Sequence, residues 1–363
     1  MDGERQPDRD RGGPARGAAR GSAGRGRRGG AGRADEAGGG LGGSTGVREG
    51  VETGPGGAAN RPAGGGGGRG DGAARPGSRN GTRRSPAPAL VAPDPAALED
   101  KLILVDGHSL MYRAFFALPP LTTADGLPTN AVYGFLTMLL RLLEEERPRY
   151  VVVAFDRGLP AFRVERYAAY KGHRPETPDD LRSQFPVVKE VLSALGIPMV
   201  EHDGFEADDL LGTLARRARE AGVGRVLLVT GDRDVLQLVG DGVEALLTRR
   251  GISDVHRYDA ARIREEMGID PAQYLDVKAL MGDPSDNIPG VPGIGEKTAL
   301  KLIQQLGDLE SVLANPEAAG GKKLPQALRE YADQARLSRE LARIRTDAPV
   351  EFDPERWRRR PAD

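Results

Sequence analysis

Within Gly204–Gly212, Gly-Phe-Glu-Ala-Asp-Asp-Leu-Leu-Gly, the carboxylates Glu206, Asp208 and Asp209 crowd into a single short stretch. Leu210, Leu211 and Leu214, with Ala215 and Ala218 beyond, recur at helical spacing, so a helix is expected from about residue 206 with all three acids in its first turn. A helix N-terminus favours negative charge by about 0.3–1 kcal/mol, which accounts for one or two acids as capping. A third leaves two readings: a solvated acidic turn, or a ligand group for a divalent cation that takes oxygen donors. The remaining acids weigh for the cation. Asp106 ends the apolar run Lys101–Asp106, and Asp156 ends Tyr150–Asp156. Asp232 and Asp234 follow Arg225–Thr230, and Asp283 and Asp286 follow an expected helix over Pro271–Met281. Turn chemistry puts an Asp after a strand once or twice, but it does not explain this recurrence. Carboxylates converging on one edge repel one another unless cations are present, and hard oxygen ligands select Mg²⁺ or Mn²⁺ over Zn²⁺. Two such ions, about 3.5–4 Å apart in characterised sites, activate water and stabilise a leaving oxygen in phosphodiester hydrolysis.

The elements that must position these acids read as α/β with a mostly parallel central sheet. The three runs that end in or lead to acids are short and continuously apolar, as in strands buried on both faces of a parallel sheet, and ligands bind such sheets at the carboxyl ends of the strands. Helices are expected over Asn130–Glu146, closed by Pro148, and over Pro178–Leu195 with Thr177 as N-cap. Further short strands are expected at Gly196–Val200 and near Val243–Thr248. From Arg157 to Pro178 the periodicity fails, and Arg157, Arg163, Arg166, Lys171 and Arg174 interleave with Phe162, Tyr167 and Tyr170. That segment is either a solvated loop or an arm that holds a phosphate backbone. In Gly290–Ala299, the glycines at 290, 293 and 295 permit close approach, and Glu296-Lys297-Thr298-Ala299 opens a helix whose free N–H groups can hold a phosphate. This is the helix–hairpin–helix pattern, which grips duplex backbone without reading bases.

Composition divides the chain. Residues 1–95 hold sixteen Arg, no Lys and ten Asp and Glu, a net +6 that leaves −7 for residues 96–363 out of the whole-chain −1. With almost no large apolar residue, that stretch is expected to be a disordered Gly/Arg-rich tail, either an inert extension or a loose electrostatic hold on nucleic acid. It reads equally as translated high-G+C sequence ahead of a later start such as Val91. The absence of Cys excludes disulfides and thiolate metal sites. No signal peptide and no membrane-spanning run is visible, so a soluble protein is expected.

The ordered set Val-Asp-Gly-His-Ser (105–109), Ala-Phe-Asp (154–156), Phe-Arg (162–163), Tyr-Lys (170–171), Glu-Ala-Asp-Asp (206–209), Thr-Gly-Asp-Arg-Asp (230–234), Gly-Asp-x-Ser-Asp-Asn (282–287) and Gly-Val-Pro-Gly-Ile-Gly (290–295) resembles the 5′–3′ exonuclease domain of bacterial DNA polymerase I, within the flap endonuclease superfamily. The resemblance covers about residues 100–352 and implies a stand-alone metal-dependent 5′–3′ exonuclease or flap endonuclease. The implied architecture is a PIN-like catalytic core over 100–270 with a helical arch at about 157–178, a helix–three-turn–helix DNA-binding region over 271–352, and a basic tail from 353 to 363.

The resemblance further implies that Asp106, Asp156, Glu206, Asp208, Asp209, Asp232, Asp234, Asp283 and Asp286 are metal-site acids for Mg²⁺ or Mn²⁺, two ions in all. Arg163 and Lys171 would meet the scissile phosphate, with Tyr170 and Arg174 beside them. Gly290, Gly293, Ile294, Gly295, Lys297 and Thr298 would hold duplex phosphate, with K⁺ on the carbonyls around Leu280, Met281, Pro289, Val291 and Ile294. The implied substrate is duplex DNA with a 5′ end, nick or flap, or an RNA primer–DNA hybrid, handled by a monomer at the cytoplasmic nucleoid during replication and repair. A PIN-type ribonuclease would share the acidic edge but not the Gly290–Ala299 grip. A phosphatase using an aspartyl nucleophile would need Asp-x-Asp after the first strand, where His108 stands two residues beyond Asp106. A non-catalytic DNA-structure-binding protein would be expected to have lost some of the acids. His108 reads as a structural neighbour of the first strand, Leu337–Ala342 as an ordinary surface helix, and Trp357 equally as packing or stacking.

Overall fold

Leu102, Ile103, Leu104 and Val105 are all 0% exposed, as a continuous apolar run at the centre of a parallel sheet must be. In the computed structural model, which describes residues 98–249 and 251–359, they form β1 (Glu99–Asp106), followed by α1 (Gly107–Ala117), α2 (Asn130–Glu146) and β2 (Pro148–Ala154). Then come α3 (Ala161–Arg166), α4 (Asp179–Arg182), α5 (Gln184–Ala194), β3 (Met199–Val200), α6 (Ala207–Glu220) and β4 (Arg225–Thr230). A 3₁₀ helix (Arg233–Leu238) leads to β5 (Val243–Thr248), β6 (Val255–Tyr258) and α7 (Ala260–Met267). The helices α8 (Tyr274–Met281), α9 (Glu296–Leu306), α10 (Leu309–Ala314), α11 (Lys323–Glu330) and α12 (Ala332–Ala342) complete the order. The expected tail over residues 1–95 lies outside the described residues. No helix among them is long and apolar enough to cross a membrane.

Among the described residues the sheet order is β3-β2-β1-β4-β5-β6, parallel except for the β5–β6 pair. The chain winds outward from β1 to β2 and β3, then returns to add β4 on the other side of β1. The order therefore reverses between β1 and β4, and the carboxyl ends of those two strands flank the crevice where such sheets bind ligands. Asp106 ends β1 and Asp232 follows β4. One face of the sheet is covered by α1, α2 and α5 through Leu110, Phe135, Leu139 and Leu192. The other carries α6 and the C-terminal helices through Leu210, Leu214, Val277 and Leu302.

Four local expectations are corrected. The run expected as one helix over Pro178–Leu195 is two helices, because Pro186 cannot donate to the carbonyl of Arg182 and its ring crowds that carbonyl. Thr177 is not the N-cap; its Oγ1 lies 2.5 Å from Tyr112 Oη. β2 ends at Ala154, so Asp156 sits in the loop beyond the strand. β6 was not expected at all. The C-terminal helical region is also more closely packed than a surface reading allows. Ser338 of α12 is fully buried against the carbonyls of Gln334 and Pro289, and Gln334 Nε2 donates to Gly290 O at 2.6 Å.

Of the segment expected as a basic tail from 353, residues 353–359 are described, and they are tied to the core through Trp357. The Trp357 carbonyl accepts from Val151 N at 3.1 Å, Arg358 bridges to Tyr150, and the indole, 3% exposed, packs edge-on against Phe352. Trp357 is therefore packing. Trp357→Ala should destabilise the chain by about 3–5 kcal/mol, the usual cost of emptying a buried aromatic site. Urea denaturation followed by circular dichroism reads this, and a change under about 0.5 kcal/mol would return residues 353–359 to a free tail.

Candidate active site

The strand order delivers the acids and the local caps hold them. Asp106 is the N-cap of α1: its Oδ1 accepts from Ser109 N at 2.9 Å, and its Oδ2 accepts from Thr230 Oγ1, at the end of β4, at 2.8 Å. Asp156 Oδ1 accepts from Ala207 N at 2.6 Å, which ties the loop after β2 to the first turn of α6. Its own backbone N–H donates to His108 Nδ1 at 2.9 Å, so that nitrogen carries no proton. Burial lowers the affinity of His108 for a proton further, and the ring stacks on Phe185. His108 is thus packed beside the end of the first strand with Nδ1 as an acceptor. Asp232 Oδ1 accepts from Asp234 N at 3.0 Å as the N-cap of the 3₁₀ helix.

Asp106, Asp156, Asp208 and Asp232 form no ion pair with a Lys or Arg among the described residues. Burial, then the charge of Asp156, pushes the Asp106 carboxyl up to about 7. Burial, then Asp106 and Asp232, holds Asp208 well above the ordinary carboxylate range. Asp208 Oδ1 is buried without a hydrogen-bond partner. Among the described residues no three His or acidic side chains are already grouped as a ligand shell. What the edge presents is a set of hard oxygen donors with uncompensated charge and an orphaned oxygen, and that chemistry fits a divalent cation.

Each of the other five acids has a cation of the chain beside it, although burial, then the charge of Asp232, still pushes the Asp234 carboxyl up to about 7. Asp209, fully buried, accepts from Arg163 Nη1 at 2.7 Å and Nη2 at 2.8 Å, from Arg345 N at 2.8 Å and from Glu206 N at 3.2 Å. Arg163, 3% exposed, also donates to Glu206 and to the carbonyls of Leu341 and Arg343. Expected at the scissile phosphate and at the metal, Arg163 and Asp209 instead satisfy each other, since a guanidinium and a carboxylate match in a bidentate pair. Lys171 Nζ is paired with Glu206 and lies 3.5 Å from Asp286, while Tyr170 Oη sits 2.9 Å from Glu206 and 3.0 Å from Asp286. Arg174 Nη2 reaches Asp286 Oδ1 at 2.5 Å. Tyr170 is 3% exposed, so its ring is interior and not open to a base.

Two residues lining the same crevice escaped the sequence reading. Lys278 pairs with Asp234 at 2.7 Å and with Asp283. Its signal was a Lys set among the otherwise apolar Leu275, Val277 and Leu280. Arg113 follows Ser109 by one helical turn, and its Nη1 donates to Arg249 O at 2.5 Å. The crevice they share with Ser109, Tyr112, Asp232 and Asp283 has a volume of about 700 Å³.

The expected duplex grip is built on close backbone approach. Gly282 has φ 72°, and a Cβ there would lie 2.4 Å from Gly290 N, while one on Gly290 would lie 2.3 Å from Met281 C. Gly295 is the N-cap of α9, with Lys297 exposed and Thr298 half-buried in its first turn. Ile294 is 5% exposed and belongs to the core with Val291 and Leu302, so its side chain is not part of an open surface.

The model of the 5′-3′ exonuclease N-terminal resolvase-like domain matches residues 101–268, and that of the 5′-3′ exonuclease C-terminal SAM fold matches residues 269–363. The chain belongs to the 5′-3′ exonuclease family. The chain is 50% identical over 255 residues to DNA polymerase I of Bacillus caldotenax, covering 70% of this chain and 29% of that protein. It is 47% identical over 274 residues to DNA polymerase I of Mycobacterium tuberculosis, covering 75% of this chain and 30% of that protein. It therefore spans under a third of the length of these relatives. A solved structure of T5 5′-exonuclease with bound zinc is similar in fold, with 25% identity and a TM-score of 0.56 over 67% of this chain and 89% of that one.

The electrostatics of the acidic edge carry a sign that can be measured. A folded carboxyl pushed up to about 7 binds its proton more tightly than in the unfolded chain. Its contribution to stability is complete below about pH 4 and is lost as pH rises through about 7. In metal-free buffer at about pH 7.5, Asp106→Asn should therefore stabilise the chain, by up to about 4 kcal/mol, and flatten the fall in melting temperature above pH 5. A destabilised variant with an unchanged pH profile would show that Asp106 is not held against its charge.

Proposed function

We propose that this protein hydrolyses phosphodiesters at the 5′ end, nick or flap of duplex DNA, with divalent cations held by Asp106, Asp156, Asp208 and Asp232. The observation that carries the reading is this quartet of buried or half-buried carboxylates, left without a Lys or Arg partner among the described residues at the switch point of the sheet, while Glu206, Asp209, Asp234, Asp283 and Asp286 each have one. Bound Mg²⁺ or Mn²⁺ would supply an activated water and charge neutralisation at the leaving oxygen. In the proposal a second ion involves Asp234 and Asp283.

The chain's own residues do the rest. Lys171 and Arg174, paired to Glu206 and Asp286, set positive charge beside the acids where a phosphate must approach. Arg163 and Asp209 act by position: their buried pair fixes α3 to the start of α6, and through it the segment that carries Tyr170 and Lys171. Gly293, Gly295 and the first turn of α9, with Lys297 and Thr298, are proposed to receive duplex phosphate. A K⁺ ion at that turn belongs to the same reading and would share the carbonyls of Leu280, Pro289 and Val291 with the hydrogen bonds they already accept. Removal of flaps or RNA primers by a monomer at the nucleoid is the role that suits such a site.

A 5′-labelled flapped or nicked duplex tests the reading. Cleavage should require Mg²⁺ or Mn²⁺, stop in EDTA, and fall more than about 100-fold in Asp208→Asn, since even outer-shell partners of metal ligands cost about 10–100-fold. Cleavage that persists in EDTA, or at the unaltered rate in Asp208→Asn, would overturn it.

A further inference from the structure

Five of the acids at the carboxyl edge have partners, but their partners differ in kind. Arg163, Lys171 and Arg174 come from the segment between β2 and α5. Lys278 comes from α8, beneath the edge, and it stands between two acids assigned to the second ion. Its Nζ lies 2.7 Å from Asp234 Oδ1 and is hydrogen-bonded to Asp283 Oδ2, and its side chain is 7% exposed. Asp283 is presented by the turn that closes α8, where its Oδ1 also accepts from Ser285 N at 2.8 Å. A buried ammonium is costly unless its charge is matched and its protons are used. Asp234 and Asp283 supply that match, one on each side of the ammonium.

We infer that Lys278 is a built-in counter-ion occupying the second cation position of the edge, so that a divalent ion settles between Asp234 and Asp283 only when this ammonium moves aside. The inference rests on the divalent-cation reading above and deepens it. The quartet has no internal cation, so it takes the first ion. The Asp234–Asp283 pair already has a cation, and a divalent ion arriving there meets a like charge at short range in a poorly solvated place. The flexible four-carbon stem of Lys278 lines the open crevice, and it can carry the ammonium toward solvent or toward an incoming phosphate. The two ion positions are therefore unequal by construction, and occupancy of the second is coupled to departure of the ammonium.

Mn²⁺ titration of the full chain, with free ion counted by electron paramagnetic resonance, tests this without any turnover. The unaltered protein should bind one ion tightly and a second at least about tenfold more weakly, and Lys278→Met should tighten the second by at least about tenfold. Two equally tight ions in the unaltered protein, or an unchanged second affinity in a folded Lys278→Met, would overturn the inference. A second measurement needs no variant: Lys278 should resist an amine-acylating reagent in the metal-free and one-ion protein and become reactive as the second ion binds. Unchanged reactivity with two ions bound would overturn it as well. Failure to bind any divalent ion would instead overturn the parent reading, so the two failures are distinguishable.

Discussion

Uncompensated negative charge at the carboxyl edge of the sheet is the constraint around which the molecule is arranged. A parallel sheet whose strand order reverses between β1 and β4 leaves a crevice at that point, and the chain places Asp106 and Asp232 on its two sides. Asp156 and Asp208 arrive from the loop after β2 and the first turn of α6, joined by the Asp156–Ala207 hydrogen bond. Folding them together without cations costs stability, which is why burial and mutual repulsion push Asp106 and Asp208 toward protonation. The scaffold tolerates this because β1 and β4 are held by fully buried aliphatic side chains on both faces.

The fold resolves the remaining charge by supplying cations of its own. Arg163, interior and bidentate on Asp209, anchors α3 to α6 and to the carbonyls at the end of α12. Lys171 and Arg174 cross from the same segment to Glu206 and Asp286, and Asn287 Nδ2 returns the contact to Ala169 O at 2.7 Å. Lys171 at φ 54° and Asn287 at φ 58° both adopt left-handed backbone without being glycine, a strain tolerated where surrounding contacts determine the conformation. The segment between β2 and α5 is therefore fastened to the loop after α8 through charged groups that a phosphate could also engage.

Much of this was legible in the sequence. The bounds of β4 and β5 were read correctly because continuous aliphatic runs between turn residues leave little choice, and Asp106, Asp156, Asp232 and Asp234 were placed at one edge because each ended or followed such a run. β6 escaped because Val-His-Arg-Tyr is a short antiparallel edge strand, exposed or half-buried except at Tyr258, with no apolar run to mark it. Pro186 was present in the sequence, but a helix was carried through it. The division of the acids into paired and unpaired could not be read, because it depends on contacts such as Arg163 with Asp209 and Lys278 with Asp234 that join distant parts of the chain. Arg163 looked like a surface cation for the same reason: a basic, aromatic segment gives no local sign of which guanidinium turns inward.

Proton release on cation binding tests the central claim most directly. Calorimetric titration with Mn²⁺ at about pH 6.5, in buffers of differing ionisation enthalpy, counts the protons that leave as the first ion binds. Asp106, pushed up to about 7 by burial and then by the charge of Asp156, must give up most of a proton as the ion binds at that pH, and Asp208, raised in the same direction, adds to the release. Tight binding with no proton release at about pH 6.5 would contradict the account, because it would mean that the quartet is ionised without the cation and that its charge is already balanced.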